Sequence, residues 1–357
     1  MSEMTTHERM KRMYAHQEAD RIPIVDVLWN STRERWEQQG MPAGVDMSDY
    51  FDIDHIPKIE VDNSFRFEEK ILEETDEYII STTVWGATFK NWKHKGSTPG
   101  CLDYSIKTAD KWYEAKKRMV PTPDRIPWDY LKANYRSWKE KGYWIRGRLC
   151  FGFDVAQSFA VGSERFLIAL IEEPEWCVDM FNHYLDVSLA LQQMVWDAGY
   201  EFDELSWDDD LAYKLTQFFS VNTYRELLKP VHKRAIEWAQ QKGIKTHMHS
   251  CGEITPFIPE LIDIGLDAVN PLEVKSGINP IELKKKYGRD ILFRGGNNAM
   301  LWDSFEQTEA EMRKIVPAMK ESGGYIFSSD HSIPDSVKLD TYRKIVRLAK
   351  ELGSYSC

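Results

Sequence analysis

The sequence predicts an α/β protein built as a (β/α)8 TIM-type barrel, with N-terminal elaborations and an aromatic-rich insertion. Three observations carry this. From Gly142 onward, short β-branched runs alternate with segments of helical period. With two short N-terminal runs included, the strand candidates number eight, as a closed barrel requires. Residues able to do chemistry gather just past the C-terminal ends of those strands, where such a barrel presents its site. A doubly wound sheet is the competing architecture. No G-x-G-x-x-G follows a strand and no P-loop is present, which argues against a nucleotide enzyme. The chain, 1–357, reads as one domain with an insertion over 77–141.

The elements follow in order. Thr6 to His16 is an amphipathic helix with Met10, Met13 and Tyr14 inward and Thr5 or Thr6 as cap. Asp20-Arg21-Ile22-Pro23 leads into the strand Ile24 to Leu28, and Ser31 to Gln39 is a polar helix stopped by Gly40. Lys58 to Val61 is the second strand, and Glu77 to Lys90 a hairpin around Gly86. Trp85 to Trp144 is dense in aromatics (Trp85, Phe89, Trp92, Tyr104, Trp112, Trp128, Tyr130, Trp138, Trp144) and broken by prolines. Most of these rings are expected to pack, with one or two facing a site. Strands then fall at 143–149, 201–207, 244–249, 268–272, 291–293 and 325–327. The helices are placed at 163–171, 176–198, 222–241, 256–264, 280–287, 305–321 and 339–352.

Composition bounds the setting. Hydrophobic residues make up 42%, enough for a sizeable core, and the five cysteines are scattered in no disulfide pattern, which fits a reducing compartment. A net charge of −11 argues against binding a phosphate backbone. The polar N-terminus and the lack of a long apolar run predict a cytoplasmic protein without membrane spans.

The stretch Lys245 to Glu253 is central. Side chains alternate along a strand, so His247, His249 and Cys251 project from one face if the backbone stays extended. Two imidazoles and a thiol suit zinc, but the same spacing fits a buried cysteine beside a hydrogen-bonded histidine. The other strand ends carry Asp208-Asp209-Asp210, Glu273, the turn Arg294-Gly295-Gly296-Asn297-Asn298, and Ser329-Asp330-His331. Asp208-Asp209-Asp210 reads either as a solvated acidic turn or as a source of one functional carboxylate; Asp209 or Asp210 is expected to line the pocket and bond substrate.

His249-Ser250-Cys251-Gly252, the Asp20-Arg21-Ile22-Pro23 entry and the closing Gly323-Gly324-Tyr325-Ile326-Phe327 strand together resemble the uroporphyrinogen decarboxylase superfamily. Within it the chain is more similar to the corrinoid-dependent methyltransferases, the O-demethylase kind included, than to the decarboxylase. The decarboxylase's Arg- and Gly-containing segment after the first strand has no counterpart in Val25 to Ser31, and an acidic chain is a poor host for a polyanion.

The resemblance implies Zn2+ held by His249 and Cys251 with a third cysteine on the last strand. No cysteine stands there. His331 is the nearest replacement, Asp330 the second, and Glu273 a fourth candidate; His247 is expected to pack behind the ligands. Losing a thiolate makes zinc harder and better matched to oxygen, which points to a methoxyaromatic methyl donor demethylated toward the cobalamin of a corrinoid partner protein. The expected partners are that corrinoid protein and a small aromatic donor, with a homodimer allowed. Methyl transfer from methylcobalamin to a thiol, decarboxylation of the uroporphyrinogen type, and a non-catalytic corrinoid-binding barrel are the alternatives.

Overall fold

The computed structural model describes residues 3–93 and 99–355. Cys357 and residues 94–98 of the aromatic stretch lie outside them. Thirteen strands occur in chain order among the described residues. They are β1 (Lys58–Ile59), β2 (Ile71–Glu74), β3 (Tyr78–Thr82), β4 (Ala87–Trp92), β5 (Gly100–Tyr104), β6 (Arg146–Arg148) and β7 (Glu204–Asp208), then β8 (Ala212–Tyr213), β9 (Thr216–Gln217), β10 (Lys245–His249), β11 (Ala268–Asn270), β12 (Leu292–Arg294) and β13 (Tyr325–Ile326).

Seven of them form one parallel sheet in the order β1-β6-β7-β10-β11-β12-β13. Long helices connect them, notably Pro174–Asp197, Lys229–Gln241, Phe305–Lys320 and Leu339–Gly353. This is the α/β barrel-type arrangement that the alternation predicts. Strand centres such as Leu205, Trp207, Met248, Val269 and Phe293 are wholly buried, as a sheet covered by helices requires.

The predicted first strand, Ile24 to Leu28, does not form a ladder of its own. Two parallel bridges join Ile24 to Phe327 and Leu28 to Ile333. On its other side, Asp54 takes the Ile24 N–H with its carboxylate at 2.8 Å and gives its own N–H to the Ile24 carbonyl at 3.0 Å. A side chain thus fills the place of a neighbouring strand, and that same carboxylate holds Arg9 and Arg21.

The N-terminal helix, Thr6–Tyr14, starts on a reciprocal cap between Thr5 and Glu8. The helix expected at 222–241 is interrupted by a wide turn, Tyr224–Leu228, before Lys229–Gln241. Pro230 lacks the N–H that would continue the ladder through that point. The hairpin around Gly86 is present as β3 and β4, inside a four-stranded antiparallel sheet β2-β3-β4-β5. Sequence reading missed β2 and β5 and the helices Ala109–Lys116 and Trp128–Glu140. Of the aromatics there, Trp112, Trp138 and Trp144 are core residues. No helix among the described residues is long and apolar enough to cross a membrane.

Inside the parallel sheet lies a wholly buried carboxylate, Glu204. It accepts from the Tyr14 hydroxyl at 2.7 Å and the Trp144 indole at 2.8 Å. Arg146 Nε stands 2.6 Å from it and His247 Nδ1 3.0 Å. These partners hold the carboxyl far below its usual range despite burial, while burial depresses His247 to about 4 and keeps it neutral. Glu204→Ala leaves Arg146 charged and unpaired in the interior. We expect it to cost about 3–5 kcal/mol in urea unfolding; a loss below about 1 kcal/mol would show that the network adds little.

Candidate active site

β10 lies between β7 and β11, so its end meets theirs. Asp209 N–H donates to the His249 carbonyl at 2.8 Å, Ser250 N–H to the Asn270 carbonyl at 2.8 Å, and Leu211 N–H to Ser250 Oγ at 2.9 Å. These bonds bring three side chains together: Asp210, His249 and Cys251 each offer a ligand atom, all within 4.8 Å of one another. His249 Nε2 is 3.2 Å from Cys251 Sγ and 3.8 Å from Asp210 Oδ1. Asp210 Oδ1 also accepts the Cys251 N–H at 2.7 Å. On the ring's far side, Nδ1 lies 2.9 Å from the Asn270 amide. The amide nitrogen is the atom facing Nδ1, so it donates to that nitrogen and the ring proton stands on Nε2, toward Cys251 Sγ. A half-turn of the amide would bring its oxygen to Nδ1 and free the Nε2 lone pair for a metal.

Gly252 completes the motif for a steric reason. Its φ is +78°, and a Cβ would fall 2.7 Å from the Ala212 carbonyl carbon. Its N–H donates to Glu273 at 2.6 Å, and Ser276 and Lys275 hold the same carboxylate. Glu273 is therefore engaged on both oxygens. His331 stacks near Trp29 at 5.8 Å between ring centres, and buried Asp330 accepts the Ala299 N–H. Glu273 and His331 line the same cavity as the cluster without joining its set of mutually close atoms. Asp209 is wholly buried and bonds His232 at 2.8 Å and the Asp154 N–H at 2.7 Å, so it is not a pocket wall. Its neighbour Asp210 is one. His247 points instead into the Glu204 network.

The cluster is short of positive charge. Burial, with repulsion from Asp208, Asp209 and Glu273, pushes Asp210 up to about 7 against the Cys251 N–H. Burial and Asp210 likewise push Asp154 up to about 7. Burial, with Asp210, Glu273 and Asp154 nearby, raises the Cys251 thiol well above its usual value. One imidazole, one thiol and one carboxylate at this spacing, in a field this negative, fit a divalent cation with a position left open.

The cluster opens on a cavity of about 1120 Å³ whose wall includes Phe89, Tyr104, Tyr213 and Phe218. Phe89 and Tyr104 come from the antiparallel sheet, which places that sheet beside the strand-end mouth. Behind His249 is a second, smaller cavity lined by Lys58, Arg146, Arg148 and Arg294. Sequence reading missed these cations as a group. The signal was there in Arg146-x-Arg148, two like residues on one face of a strand.

The model of the uroporphyrinogen decarboxylase (URO-D) family matches residues 153–352, more than half of the chain. No curated protein matches the sequence. Among solved structures, a methyltransferase from Methanosarcina mazei superposes with a TM-score of 0.64 at 14% identity, covering 98% of this chain and 99% of that one. It shares the fold. A psychrophilic family 10 endo-β-1,4-xylanase (9% identity, 64% and 84% covered) and a D-tagatose 3-epimerase-like protein (13%, 65% and 84%) reach TM-scores of only 0.34 and 0.35, too low to carry inference. By its sequence and its strand-end motif, this chain belongs to the uroporphyrinogen decarboxylase family.

Proposed function

We propose that the protein is a zinc-dependent methyltransferase that takes a methyl group from a small methoxyaromatic compound and passes it to cob(I)alamin of a corrinoid partner protein. The observation carrying this reading is the Asp210–His249–Cys251 cluster, set in the wall of a roomy, aromatic-lined cavity at the strand ends. The fold shared with a methanogen methyltransferase supports the reaction class.

His249, Cys251 and Asp210 would hold the metal, with Asn270 fixing the imidazole. The carboxylate thus comes from the end of β7, next to β10, rather than from the last strand. Zinc in this set supplies Lewis acidity toward a substrate oxygen, and a single thiolate among its ligands suits oxygen better than sulfur. The chain's own part is positioning. Phe89, Tyr104, Tyr213 and Phe218 offer ring faces and edges to a flat substrate. Half-exposed Tyr213 and exposed Leu215, on the β8–β9 hairpin, stand at the rim where a corrinoid domain must dock. In the transfer, the cobalt(I) electron pair forms the bond to the methyl carbon, the carbon–oxygen bond breaks, and its pair stays on the phenolic oxygen. A second reading, decarboxylation of a small acid, draws on the arginines behind His249; carbon dioxide release from such an acid without metal would favour it.

Two outcomes are expected. Protein purified without added metal carries about one zinc per chain. Cys251→Ala and Asp210→Asn each weaken zinc binding by about tenfold or more, while His331→Ala and Glu273→Gln keep it; loss of zinc on His331→Ala with retention in Asp210→Asn would return the third ligand to the last strand. In a screen of methoxyarenes, methylamines and thiols against cob(I)alamin and the purified protein, absorbance of cob(I)alamin falls with methoxyarenes. A response to methylamines alone would overturn the substrate class.

A further inference from the structure

The inner cavity, about 300 Å³, is lined by His249 and Asn270 on one side and by Lys58, Arg146, Arg148 and Arg294 around it. Its charges do not cancel locally. Arg148 makes a two-point pair with Asp208 at 2.8 and 2.6 Å, and Arg146 is matched by Glu204 at 2.6 Å. Asp54 is taken by Arg9 and Arg21. Asp26 is held by the hydroxyls of Ser329 and Tyr342.

Two cations remain. Among the described residues neither Lys58 nor Arg294 has a carboxylate within 4.0 Å. Arg294 is only 6% exposed, its Nε has no partner, and one terminal nitrogen reaches no more than the Val25 carbonyl at 3.5 Å. Burial beside Arg146 pushes this guanidinium down to about 10. Lys58 is exposed as a residue, yet desolvation where it enters the cavity, with Arg148 and Arg146 beside it, pushes it down to about 8. Folding a guanidinium into the interior without an anion is costly, so a site built this way has a use for one. Asp26 offsets part of the charge at longer range, leaving an excess suited to one negative group rather than several.

We propose that the inner cavity is an anion subsite that takes the carboxylate of the substrate between Arg294 and Lys58, while the methyl-bearing end of the same molecule lies at Asp210, His249 and Cys251. The two cavities meet at His331, which lines both, and His249 belongs at once to the metal cluster and to the inner wall. A guanidinium fork matches the plane of a carboxylate, and an ammonium beside it adds charge without fixing geometry. The volume admits a carboxylate and part of a ring but no tetrapyrrole. This rests on the methyltransferase reading and narrows its substrate class to methoxylated aromatic monocarboxylates.

The test is calorimetric titration of the zinc-loaded protein with 4-methoxybenzoate and with neutral 4-methoxybenzyl alcohol. The carboxylate should bind about tenfold tighter or more. Lys58→Met and Arg294→Met should each remove most of that preference while leaving zinc content and binding of the alcohol unchanged, and Lys58→Arg should restore it. Arg294 is buried and its variant can fail to fold; Lys58 is open to the cavity, so its pair of variants decides alone. Equal binding of the two compounds by the wild type, or an unchanged preference in Lys58→Met, would overturn the subsite. A carboxylate preference with no methyl transfer from any methoxyarene would overturn the demethylase reading and leave the subsite standing.

Discussion

Glu204 is the constraint on which much of this structure rests. A carboxylate with no contact with water survives in the interior only if its partners supply all that water would have supplied. Here they arrive from four places in the chain: Tyr14 from the first helix, Trp144 from the approach to β6, Arg146 from β6 and His247 from β10. Each must be in register for the others to be satisfied. The same strands then carry, two residues further along, Arg148 and His249, whose placement is inherited from the layer beneath. A polar network that has only one complete arrangement specifies the alignment of β6, β7 and β10 in a way that aliphatic packing alone does not.

Much of the fold was legible because a β/α alternation writes itself in two periods, and helices such as Pro280–Tyr287 begin and end where proline and glycine punctuate the chain. The antiparallel sheet was legible only at Gly86, since β2 is exposed throughout and offers no apolar alternation to read. The site was legible in part. His249 and Cys251 share a strand end, and alternation alone sets them side by side. Asp210 sits some forty residues away, and its nearness depends on β7 and β10 being neighbours, which is a matter of strand order. The last strand, where His331 was sought, stands three places from β10 in that order.

Net charge misled in a similar way. A chain at −11 suggests repulsion of anions, yet the lining behind His249 is rich in cations. Overall charge governs the potential at a distance, whereas a cavity feels the few groups that face it. The outer cavity carries Asp154, Asp210 and Glu273 with Lys214 and Lys275, while the inner one sets Lys58 and three arginines among Asp26, Asp54 and Asp208.

The His249 imidazole stands between the metal-ligand cluster and the inner cavity. Its Nε2 faces Cys251 and Asp210, and its Nδ1 faces the neutral Asn270 amide. A proton on Nδ1 and a lone pair on Nε2 is one state of that ring; the reverse is the other. Rotating the Asn270 amide by half a turn exchanges which of them is favoured, and so a neutral side chain outside the cluster holds the choice of tautomer for it.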